Sequence, residues 1–189
     1  MLFRSLTFTA TSDEPNYTYS FDWTDDGTFD TTVTANGTVS VSASYAYPDD
    51  GVFTVRVRVT DSVGSTAQDT ATATIANVAP ALVCGAGECV SENVTEGHVY
   101  QASPIVTDAG TADTHTWAMT INPVPPGGMP EFSSVTGELS WVPTWFDGSR
   151  FGTDYDVTIT VTDNDGAPNS DSVAFTLTAF FRDEDGDGM

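Results

Sequence analysis

Between Phe53 and Thr60 the chain alternates without a break: Phe53, Val55, Val57 and Val59 share one face, and Thr54, Arg56, Arg58 and Thr60 share the other. A period of two over eight residues is the signature of a half-buried antiparallel strand and is incompatible with a helix. The pattern returns. Gly51 to Asp61 matches Gly152 to Asp163, and each copy is followed by a Gly-containing turn and another alternating run, 70–75 and 172–177. Turn-forming clusters punctuate the rest at short intervals: Asp25-Asp-Gly27, Asn36-Gly37, Pro48-Asp-Asp-Gly51, Pro125-Pro-Gly-Gly128, Asp147-Gly148 and Asn164-Asp-Gly166. Many short strands separated by such turns predict an all-β chain of two immunoglobulin-like sandwiches in tandem, with almost no helix. The boundaries expected are 1–79 for the first sandwich, 80–181 for the second and 182–189 for an Asp/Gly tail, with Pro80 closing the junction.

Asp and Glu number 27 against 5 basic residues, all arginine, for a formal charge of -22. Such a field disfavours nucleic acid and anionic membrane surfaces as partners. No apolar run is long enough to span a bilayer. Hydrophobic residues make up 39% of the chain, enough to build cores despite the acidity. Repulsion among so many carboxylates is relieved by salt or by divalent cations, and hard oxygen donors favour calcium. Cys84 and Cys89 flank Gly-Ala-Gly-Glu, a spacing that lets a small disulfide ring close outside the cytosol; the other reading is two free thiols.

Tyr17 to Gly27, with its Asp-Trp-Thr-Asp-Asp-Gly turn, followed by Tyr45 to Asp61, resembles a PKD repeat, with Tyr45 where the family usually has His and Phe53 where it has Tyr. The second half, with Gly137 to Thr144 and Tyr155 to Gly166, resembles a dystroglycan-type cadherin-like or bacterial immunoglobulin-like module. The resemblance implies an extracellular setting, secreted or at the cell surface, and a part in adhesion, spacing or carbohydrate contact. Compared with that family the first module opens late, since Leu6 to Ala10 corresponds to a second strand, which leaves an edge unpaired. The run Val173 to Phe181 is longer than a closing strand requires, so it or the tail is the candidate donor for head-to-tail self-association by strand addition.

Candidate sites follow from residue chemistry. Asp183, Asp185 and Asp187, set in the acidic and glycine-rich run Asp183-Glu-Asp-Gly-Asp-Gly188, resemble the carboxylates of calcium loops, or form a solvated tail; Asp163 and Asp165 sit in a second acidic turn, and Asp22, Asp25 and Asp26 in a third. Asn16, Asn36 and Asn93 each begin a glycosylation sequon. Trp145, in a turn rather than a strand, is the candidate sugar contact, whereas Trp23, Trp117 and Trp141 read as core and Tyr155 as a tyrosine corner. The sequence contains no hydrolase elbow, zinc-protease helix, phosphate loop or dinucleotide fingerprint. The expected function is therefore non-catalytic: a structural subunit of a surface fibre, with a calcium-dependent adhesion spacer or a carbohydrate-binding accessory module of a larger hydrolase as alternatives.

Overall fold

A computed structural model describes residues 2–9, 16–36, 40–167 and 169–182, and every regular element in it is a strand. The chain divides into two compact units, Met1–Asn77 with Ala109–Ala112, and Val78–Asp108 with Asp113–Met189.

Unit 1 carries β1 (Leu2–Thr9), β2 (Tyr17–Asp22), β3 (Thr31–Ala35), β4 (Ser40–Tyr47), β5 (Gly51–Thr60) and β6 (Thr66–Ile75). One sheet has the order β3-β2-β5-β6 and the other is the pair β1-β4, all antiparallel. The alternation of β5 works as the sequence implies: Val55 and Val57 are buried, while Arg56 and Arg58 lie outward. Arg56 Nε donates to Asp25 Oδ1 at 2.6 Å, and the Arg58 guanidinium sits 4.2 Å from the centre of the Phe29 ring. Inside, Trp23 stacks between Phe21 and Tyr45 at 5.4 and 5.7 Å. Its indole N–H donates to Thr31 Oγ1 and its carbonyl accepts the Tyr47 hydroxyl at 3.0 Å, so the polar groups of Trp23 and Tyr47 are paired inside this aromatic core.

Unit 2 carries β7 (Ala81–Val83), β8 (Glu92–Thr95), β9 (Tyr100–Ala102), β10 (Ile105–Thr107), β11 (His115–Asn122), β12 (Glu131–Phe132), β13 (Leu139–Trp141), β14 (Thr153–Asp163) and β15 (Ser170–Phe180). Its main sheet has the order β11-β14-β15-β8, and β12-β13-β9 with the pair β10-β7 form the rest. Strand β8 runs parallel to the end of β15 and buries Val94. The Val173 to Phe181 run is consumed here. Residues Ser170 to Ala179 pair with β14, Leu177 to Phe180 also pair with β8, and Phe181 N donates to Ser149 O, so the run is built into the sheet of its own unit.

Tyr155 anchors unit 2: its hydroxyl donates to Asp147 O at 2.8 Å and its ring meets Trp141 edge to face at 5.1 Å. Gly137 shows how closely the core is filled. At φ +76° it lies where an added Cβ would stand 2.5 Å from the Trp117 ring. Gly137→Ala combines a left-handed backbone with a clash against a buried indole, and is expected to cost about 2–3 kcal/mol in denaturant unfolding of unit 2.

Tyr100 is buried beside Glu92 and Glu88; burial first, and the Glu92 carboxylate next, push its hydroxyl up to about 12 from 10.0. Because the folded value is the higher one, Tyr100 adds stability that is complete below pH 10.0 and is lost as pH rises toward about 12, where the unfolded chain ionises and the folded one does not. Phenolate absorbance during an alkaline titration should show Tyr100 among the last of the six tyrosines to ionise, with the unfolding midpoint falling across the same interval.

Candidate cation site

Three carboxylates converge at one end of unit 2. Asp108 directly follows β10, Asp113 lies two residues before His115 at the start of β11, and Asp163 ends β14. Antiparallel pairing puts His115 opposite Asp163, which carries the β11 end of the cluster to the β14 end. One oxygen from each of Asp108, Asp113 and Asp163 lies within 4.8 Å of the other two.

The loops beneath are held by hydrogen bonds. Asn164 Oδ1 accepts from Thr114 N at 2.6 Å and from Thr114 Oγ1 at 3.1 Å, joining the segment before β11 to the turn after β14. Asp163 Oδ1 accepts from Asp165 N at 2.9 Å, and Asp163 N donates to Asn169 O, which closes that turn. His115 Nε2 lies 2.9 Å from Asp108 Oδ2, a hydrogen bond in which a protonated Nε2 donates to the carboxylate. The Asp108 side chain is 4% exposed and Asp163 is 5% exposed, so two of the three carboxylates are largely withdrawn from water. Hard oxygen donors, clustered and little solvated, are the chemistry that suits a calcium-class ion, whose charge offsets their mutual repulsion.

The other acidic candidates fare differently. Asp165 shapes the loop through its backbone N–H. Asp22 is fully buried, with Oδ1 accepting from Asp26 N and Oδ2 from Gly27 N, while Asp25 pairs with Arg56 and Asp26 Oδ1 accepts from Thr28 N. That third acidic turn is thus built for backbone capping, as Asx turns are, and its carboxylates are committed to the turn itself rather than gathered around an ion. Asp183, Asp185 and Asp187 lie outside the described residues. Asp108 and Asp113 were missed by sequence reasoning: neither shares a local motif with Asp163, and the β11–β14 register is what brings the segment before β11 to the end of β14.

Cys84 and Cys89 form a disulfide with Cα atoms 6.0 Å apart. Asn16, Asn36 and Asn93 are all exposed. Trp145 is 53% exposed and stacks on Phe181 at 4.1 Å, beside the more exposed Phe146 and Phe151 of the same loop.

Residues 3–74 match the PKD domain family model. The PKD match falls within unit 1 and includes the Trp23 turn and the β5 alternation. No curated protein matches the chain. Among solved structures, the fibronectin(III)-like modules of Clostridium thermocellum CbhA align over 94% of this chain and 86% of theirs, at 11% identity and a TM-score of 0.37. Human protocadherin-24 EC1-2 aligns over 90% of this chain and 83% of its own, at 15% identity and a TM-score of 0.42. Human CDH23 EC21-23 aligns over 88% of this chain at 18% identity and a TM-score of 0.45, and the chain spans only 59% of that structure.

Proposed function

We propose that this chain is a non-catalytic structural module of an extracellular assembly, an adhesion or spacer element whose second unit is braced by calcium. The observation that carries this reading is the convergence of Asp108, Asp113 and Asp163, from three separate points of the chain, within 4.8 Å. A cation held by these oxygens would tie the loop after β10 and the segment before β11 to the end of β14, stiffening the unit against extension. The Cys84–Cys89 disulfide supports a setting outside the cytosol. The exposed sequon residues Asn16, Asn36 and Asn93 leave room for glycans on such a surface.

A glycan-contact reading rests on Trp145, which with Phe146 and Phe151 offers exposed aromatic surface. For head-to-tail fibre formation the residues after Arg182 are the candidate donor, since Val173 to Phe180 already pairs with β14 and β8. Single-molecule pulling tests the spacer reading. Millimolar calcium should raise the unfolding force of unit 2 and leave that of unit 1 unchanged; equal forces with and without calcium would count against it.

A further inference from the structure

Unit 2 carries an open groove of about 450 Å³ on the β12-β13-β9 sheet. Strand alternation builds it. Ala102 and Leu139 are buried in the core, which turns their neighbours Gln101, Ser140 and Glu131 outward. Register then sets those three in a row: Ser140 of the central strand lies opposite Gln101 on one side and Glu131 on the other. Neighbouring strands lie about 4.8 Å apart, so the row spans about 10 Å across the groove. Ser103 and Glu138 extend the polar lining, and the half-buried Phe132 adds apolar surface to it.

The walls are fixed while the row itself is uncommitted. Glu138 Oε2 accepts from Thr136 Oγ1 at 3.0 Å, which ties it to its own turn. At the other end Ser103 N donates to Glu88 Oε2 at 3.0 Å, and Glu88 belongs to the ring closed by Cys84 and Cys89. The side chains of Gln101, Ser140 and Glu131 make no hydrogen bond or ion pair among the described residues. An amide, a hydroxyl and a carboxylate on three paired strands thus offer donors and acceptors together, on a rigid base.

Chemistry narrows the ligand. Glu131 and Glu138 line the groove with no Arg or His beside them, so phosphorylated, sulfated or carboxylated molecules are repelled. The central strand β13 is paired on both sides, so the floor gives an extended peptide no main-chain edge to join. Side-chain donors and acceptors next to an apolar surface are the complement of adjacent hydroxyls on a ring that also has C–H faces. We propose that this groove binds a neutral saccharide, with Gln101 and Glu131 each hydrogen-bonded to ring hydroxyls and Ser140 between them. Trp145 does not line the groove, so this is a separate site, and the inference is independent of the calcium reading.

The test follows backbone amide shifts of the isotope-labelled full chain, in the presence of a calcium chelator. Neutral tetrasaccharides of glucose, mannose, galactose and xylose are titrated in turn, and spermidine serves as the cationic probe. At least one saccharide should give saturable shifts at residues 101–103, 131–133 and 138–140. Gln101→Ala, on the exposed face, should weaken that binding by about tenfold. Glu131→Gln keeps an acceptor oxygen and removes the charge, and should change the affinity by less than about threefold. Groove shifts caused by spermidine alone and lost in Glu131→Gln would assign the site to a cation and overturn the proposal. Saccharide shifts confined to residues 144–151 would move the contact to Trp145 and overturn it as well, as would saturable binding that Gln101→Ala leaves unchanged or the absence of any saccharide shift.

Discussion

Asp147→Ala should destabilise unit 2 by about 3–4 kcal/mol, measured by denaturant unfolding followed through Trp117 and Trp141 fluorescence. Asp147 is 1% exposed, and its carboxylate accepts three hydrogen bonds: Gly127 N at 2.7 Å, Thr144 N at 2.7 Å and Thr144 Oγ1 at 2.9 Å. Truncation removes the one buried acceptor that three donors of the part-exposed loop share, so the loss is that of three hydrogen bonds to a charged group. The loop cannot easily refill, because Gly127 already sits where a side-chain carbon would overlap Thr144 Oγ1 and Asp147. Asp147→Asn keeps an acceptor oxygen and should lose about half as much. Unit 1, reported by Trp23, should unfold as before in both variants. A loss below about 1 kcal/mol would mean that water replaces the carboxylate and that the loop is not closed by it.

The second large effect concerns the cation. At a calcium concentration one hundred times the dissociation constant, binding to the folded state alone contributes about 2.7 kcal/mol. For a unit of this size that corresponds to a rise of roughly 10 °C in its thermal midpoint. Asp163→Asn retains the shape of the side chain and an oxygen to accept from Asp165 N, but removes a charge from the cluster. It should leave the calcium-free midpoint nearly unchanged and abolish most of the calcium-dependent rise. The two readouts separate a ligand from a structural residue.

Much of the fold was legible because strand periodicity is local. The alternation in 53–60 identified β5 and its inward face, and the repeat at 152–163 identified β14 before any pairing was known. Tyr155 was recognisable as a corner residue, and its hydroxyl does reach back to the Asp147 carbonyl. Strands β12 and β13, of two and three residues, carry too few positions for a period to register. The closing run looked too long in isolation because its length is matched to β14, eleven residues in each, and because β8 extends the pairing on its other side. The Asp147-Gly148 pair looked like an ordinary turn; that its carboxylate is buried depends on Gly127, twenty positions away. The cation cluster was half visible for the same reason. Asp163 belongs to an acidic turn that chemistry flags, whereas Asp108 and Asp113 become neighbours of it only through tertiary pairing.

The most direct test of the calcium-braced module is calorimetric titration of calcium into the chain in which Asp183, Asp185 and Asp187 are all replaced by Asn, so that the tail contributes no carboxylate ligand from those positions. The account predicts one bound ion per chain, lost on adding Asp163→Asn. Absence of binding at millimolar calcium, or binding that persists in the Asp163→Asn variant, would contradict it.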